Sequence, residues 1–187
     1  MTKQQKLDQL KLREQQADLP LKENASNIVF GEGSPEAQVF FLGEAPGKNE
    51  DLQGRPFVGS AGKILDQLIA SIGLNRDQVY ITSVLRYRPP KNRDPKPAEI
   101  AAVQPFLDEQ IKIIQPKIIA TLGRYSLKKF LPEAKIAQVH GQPQKIKWNN
   151  LDLIIIPLYH PAAIIYNRKL QQTLEEDFKV IKLELDK

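Results

Sequence analysis

Four short apolar runs, at residues 38–42, 79–85, 117–122 and 153–158, recur along the chain with helical stripes between them. Residues 38–42 are apolar without clean alternation, as a strand buried on both faces is. From Ser60 the spacing Ile64, Leu65, Leu68, Ile69 and Ile72 predicts an amphipathic helix closed by Gly73. Ile100, Val103, Leu107, Ile111 and Ile114 mark a second over 99–115, and shorter helices are expected at 124–131 and 174–185. Short strands alternating with such helices predict a three-layer α/β/α sandwich around a central four-stranded, mostly parallel sheet. Residues 28–30 read as one further short strand, 2–17 as a polar helix with a thin edge of Leu7, Leu10 and Leu12, and 138–152 as a hairpin or irregular excursion. In such sheets chemistry collects at the carboxyl ends of the strands. Segments 43–51, 86–97 and 159–168 should therefore converge.

The 187 residues fit one domain over 1–187, with a helical extension over about residues 1–25. There is no cysteine, which excludes disulfide stapling, thiol catalysis and any thiolate-held metal centre. No apolar run is long enough to span a bilayer, and the first residues hold no apolar signal core, so a cytoplasmic protein with no membrane partner is expected. The net charge of +5 is unevenly spread. Residues 1–51 carry 6 basic and 9 acidic side chains, whereas 52–98 carry 8 and 3, a segment that would attract a polyanion.

Residues 43–47, Gly-Glu-Ala-Pro-Gly, end the first apolar run but lack the spacing of a nucleotide-binding glycine loop. Gly43 and Gly47 either let backbone amides approach a ligand, with Gly43 and Ala45 as substrate-binding positions, or merely turn the chain, and Glu44 either offers a carboxylate at a strand end or faces solvent. Phe57, in a rigid turn, either stacks on a planar base or plugs the core. Arg86, Arg88, Lys91, Arg93 and Lys96 lie among three prolines, which suits phosphate positioning as well as simple solvation. His160 follows an apolar strand and precedes a proline, while His140 is either structural or DNA-facing. Neither histidine has metal partners at recognisable spacing.

Six blocks in order carry a resemblance: G-E-A-P-G at 43–47, E-D at 50–51, G-R-P-F-V-G at 54–59, Y-I-T at 80–82, R-P-P-x-N-R at 88–93 and H-P-A-A at 160–163. Together they resemble the family 4, or thermostable-type, uracil-DNA glycosylases. The resemblance implies a catalytic pair, Glu44 orienting the hydrolytic water and His160 donating to a uracil carbonyl. It also implies stacking by Phe57, base reading at Ser83, and an apolar wedge from Ile164 or Ile165 near Arg168. Two departures stand out. Family members hold an iron–sulfur cluster on four cysteines, whose positions here are Gln16, Leu19, Tyr87 and Val103; Leu19, Tyr87 and Val103 are expected to form an apolar plug instead, and no cofactor or metal is expected. Ser83 stands where the family has asparagine.

The expected function is that of a monofunctional uracil-DNA glycosylase of base-excision repair, a monomer acting on uracil-containing DNA. Three alternatives stay open: a related glycosylase of altered or broader base specificity, hypoxanthine included; a catalytically weak DNA-damage-binding protein; and a small-molecule nucleotide or sugar hydrolase.

Overall fold

The structure, a computed structural model, describes residues 1–187. Its elements in order are α1 (Lys3–Gln16), β1 (Glu32–Gly33), β2 (Val39–Gly43), α2 (Lys48–Gln53), α3 (Ser60–Ser71), β3 (Tyr80–Ser83), α4 (Pro97–Ile114), β4 (Ile118–Leu122), α5 (Arg124–Phe130), α6 (Ile136–Val139), β5 (Gln144–Trp148), β6 (Leu151–Leu158), α7 (Ala163–Tyr166) and α8 (Leu170–Leu185). One sheet of six strands runs β1-β3-β2-β4-β6-β5. The four expected strands, β3, β2, β4 and β6, are its parallel centre. Two antiparallel edges, β1 and β5, extend it beyond the expected four.

Both edges have local causes. The short strand expected at 28–30 forms instead at Glu32–Gly33, where Gly33 (φ 125°) lets the backbone press on the neighbouring strand. A Cβ at Gly33 would lie 1.9 Å from the Val79 carbonyl oxygen. The stretch 138–152 resolves into α6 and a β5–β6 hairpin turned by Asn149 and Asn150, both at positive φ (45° and 65°), the conformation that hairpin turns with the right twist demand.

Successive strand residues face opposite layers. Phe41, Ile81, Ala120 and Ile156 pack on Leu65 and Ile69 of α3 and Leu174, Phe178 and Ile181 of α8. Phe40, Leu42, Tyr80, Ile119 and Ile155 face the other way, onto Leu7 and Leu10 of α1 and Leu107, Ile111 and Ile114 of α4. The parallel register pairs Gly43 with Ser83 and Leu122 with Leu158. The strands thus end level, and the loops that follow them open on the same side.

Candidate active site

Phe57 is held in place by four separate devices. Its backbone has φ 51°, a left-handed conformation costly for a bulky side chain. Arg76 donates to the carbonyls of Pro56 (2.6 Å) and Phe57 (3.1 Å) while paired with Glu32 and Asp66. Glu50 receives the amides of Val58 (2.9 Å) and Gly59 (2.8 Å) on one oxygen and that of Gly47 (3.1 Å) on the other. One carboxylate thereby ties the loop after β2 to the loop that carries Phe57. Two glycines make room: a Cβ at Gly62 would stand 1.8 Å from the Phe57 carbonyl oxygen, and one at Gly43 would stand 2.6 Å from its ring.

The Phe57 ring stacks on His160, centroids 5.6 Å apart and planes 28° from parallel. Both rings line a cavity of about 510 Å³ together with Glu44, Ala45, Ser83 and Tyr166. That volume suits a small planar ligand with part of its attached chain. The Ala162 amide donates to His160 Nδ1 (3.1 Å), which leaves the ring proton on Nε2. Burial pushes the His160 pKa down to about 4, only partly opposed by the Glu50 charge. The ring is therefore a neutral donor at physiological pH. Burial, with Asp94 nearby, raises the Glu44 carboxyl above its ordinary range, and Arg124 opposes the shift. A half-buried carboxylate of raised basicity lining the same cavity as a neutral N–H donor can position a water while the donor stabilises charge developing on a leaving group.

Phe57 is both of the things its sequence allowed: buried in the core cluster of α3 and α8, and exposing ring to the cavity. Ser83, at the end of β3, is 3% exposed and lines the same cavity. Two expectations need correction. Arg86 does not reach outward: it is fully buried, because its guanidinium is consumed by Glu14, Thr82, Gln110 and the Ser83 carbonyl. Ile164 is buried as part of the core, so it is no wedge; Ile165 (51% exposed) and Tyr166 (89%) are the side chains that protrude. Of the other cations, Arg93 forms a two-pronged bond with Glu99, Arg88 bonds Asn92, and Lys91, Lys96 and Arg168 are exposed. His140 pairs with Asp177 of α8 at 2.8 Å, a structural contact.

Arg76, Gly62 and Tyr166 were given no role by sequence, and Glu50, though part of the Glu50–Asp51 block, was given none either. Glu50 had a signal, since it stands three residues after the Gly47 helix cap, where a carboxylate reaches back to the cap amide. Gly62 had one too, as a glycine inside a strong helical stripe. Arg76 had none.

The four positions of the family's cluster do not fit an iron–sulfur group. Leu19, Tyr87 and Val103 pack with Leu85 into one buried apolar cluster, and Gln16 faces solvent. The site offers no thiolate, and its space is filled.

The sheet order, the level strand ends and the cavity they frame define an α/β/α sandwich with its site at the carboxyl ends of the parallel strands. The model of the Uracil DNA glycosylase superfamily matches residues 30–182. The chain is 53% identical over 163 residues to the type-4 uracil-DNA glycosylase of Sulfurisphaera tokodaii, covering 84% of this chain and 74% of that protein. It is 42% identical to the type-4 enzyme of Archaeoglobus fulgidus (86% and 83% covered) and 40% identical to that of Thermotoga maritima (87% and 85%). The chain belongs to the type-4 uracil-DNA glycosylase family.

Proposed function

We propose that this protein is a monofunctional uracil-DNA glycosylase, hydrolysing the N-glycosidic bond of deoxyuridine in DNA to leave free uracil and an abasic site. The observation that carries this reading is the Phe57–His160 stack lining one cavity with Glu44. Deoxyuridine leaves the duplex and its base enters the cavity against Phe57. Extrusion costs a few kcal/mol, which stacking of about 1–3 kcal/mol and phosphate contacts offset. As the N1–C1′ bond breaks, its electron pair moves onto uracil, and His160 Nε2–H donates to the carbonyl that gains charge. Glu44 holds the water whose oxygen bonds to C1′ and accepts the proton it releases. No amine nucleophile is required, so the strand stays intact.

Arg88, Lys91, Lys96 and Arg168 would meet phosphates, with Arg93 contributing from the cavity wall. Ile165 and Tyr166 would fill the space the nucleotide vacates. The protein acts as a single-domain monomer in this reading.

Release of free base from oligonucleotides carrying U:G, U:A, hypoxanthine:T and single-stranded uracil tests the assignment. Free uracil with an alkali-labile but uncut strand is expected. Damage-selective binding without base release would make the protein a binding module, and indifference to DNA would point to a small-molecule hydrolase.

A further inference from the structure

The largest fully buried side chain in the molecule is a charged one, Arg86. Its Nη1 donates to the Ser83 carbonyl and to Thr82 Oγ1, both at 2.6 Å, its Nη2 to Gln110 Oε1 at 2.9 Å, and its Nε to Glu14 Oε1 at 2.9 Å. Gln110 in turn donates to the Tyr80 hydroxyl and the Phe30 carbonyl. The backbone of the same segment is pinned to the cavity wall. The Val84 and Leu85 amides donate to the carbonyls of Gly43 and Glu44, and the Val29 amide donates to that of Arg86. Glu44, Ser83 and Val29 line the cavity, Gly43 directly precedes Glu44, and Arg86 lies at the crossing of the bonds that relate them.

The only carboxylate on this guanidinium comes from α1, far from the cavity in sequence. Glu14 is fully buried, and its second oxygen, Oε2, has no partner. A buried pair with an unsatisfied oxygen is a poor source of stability, since desolvation consumes what the attraction returns. What it does deliver is geometry: a fixed guanidinium fork with four of its five N–H hydrogens directed at named acceptors. We propose that Glu14, acting through Arg86, is a positioning residue for Ser83 and thus for the base-reading end of the cavity, which makes α1 part of the specificity machinery. Glu14 touches no substrate. It sets the place from which Ser83 does.

This inference rests on the excision reading, and its test separates the two. The variant Glu14→Leu/Arg86→Met removes both charges together, leaving no buried unpaired charge, but it also takes the donors from the Ser83 carbonyl and Gln110 Oε1, so its fold is verified by its melting transition. Glu14→Gln, of the same shape and still able to accept at one oxygen, is the second variant. Three quantities are measured for each: the single-turnover rate of uracil release at saturating duplex, the affinity for free uracil, and the affinity for a duplex with an abasic-site analogue. The abasic duplex places no base against Ser83. The double variant is expected to melt as one cooperative unit and to bind abasic duplex within about twofold of the parent. Its uracil affinity and its rate should each fall by about tenfold or more, the scale of a small misplacement at a reacting centre. Glu14→Gln should show the same split to a smaller degree. Folded variants with unchanged uracil affinity and rate would overturn the inference, as would a loss that strikes all three quantities in the proportion of unfolded protein. A parent protein that neither binds nor releases uracil would overturn the excision reading itself.

Discussion

Burial holds the His160 ring near pKa 4, whereas in the unfolded chain it protonates near 6.5. Between those values the unfolded state takes up the proton first, so stability present above pH 6.5 is lost as pH falls toward 4, on the order of 3 kcal/mol in all. His160→Gln should lose that share of acid sensitivity in melting curves taken from pH 7 to 4. In catalysis the neutral ring serves as donor, so the single-turnover rate should not require imidazolium. Its acid limb should instead follow the Glu44 carboxyl, which burial raises above the usual carboxylate range, and Glu44→Gln should remove that limb along with most of the rate. A limb that persists in Glu44→Gln and vanishes in the His160 variant would reverse the two roles. His160→Ala should cost about a hundredfold or more by removing the donor aimed at developing charge. Ser83 offers a short, rotatable hydroxyl where a longer amide would pair with both edge groups of a base. The parent protein should accordingly release a second base such as hypoxanthine measurably, and Ser83→Asn should raise the ratio of uracil to hypoxanthine rates. An unchanged ratio would show that Ser83 does not read the base.

At the scale of elements, α3 carries a glycine that its own helix would be better without. Alanine at position 62 should favour an isolated α3 by about 1 kcal/mol, yet its Cβ would occupy the place of the Phe57 carbonyl. Gly62→Ala is therefore expected to lower the melting temperature and to slow uracil release more than it weakens binding of abasic duplex. A stabilised, fully active variant would show that Phe57 tolerates displacement. This clamp also marks where sequence reading ends. The parallel strands were legible as short continuous apolar runs, buried on both faces, and the helices α3 and α4 by apolar stripes at a period of 3.6 residues. The loops after β2 and β6 were legible as a site because strand ends converge, and their residues could be assigned through six motif blocks. Arg76 reaches Phe57 across 19 residues of chain, and Glu14 reaches Arg86 across 72, so no local pattern announces either. Arg86 and Ile164 were misplaced for the same reason. A charged side chain in a basic loop and an apolar one in an exposed segment look external until tertiary partners are known.

For the whole molecule, the burial of Arg86 removes one cation from the surface that the basic segment offers. Arg86 is spent on internal partners and Arg93 is shared with Glu99, so in the proposed reading the electrostatic contact with DNA falls chiefly to Arg88, Lys91, Lys96 and Arg168. If about three phosphates are neutralised, a fourfold rise in salt should weaken duplex binding by roughly 40-fold. Replacing Lys91, Lys96 and Arg168 together by glutamine should flatten that dependence while leaving the melting temperature within about a degree, since exposed charges contribute little to stability. A salt slope untouched by the triple change would move the DNA surface elsewhere on the molecule. The small cluster of Leu19, Leu85, Tyr87 and Val103 has a consequence of another kind. With that corner closed by hydrocarbon and a phenol, the only sulfur atom in the chain is the thioether of Met1. Folding needs no assembly machinery to deliver inorganic sulfide, and no buried thiolate stands open to peroxide or nitric oxide. In the proposed reading, uracil excision by this protein therefore draws on no iron–sulfur cluster, and purified protein should carry no stoichiometric iron.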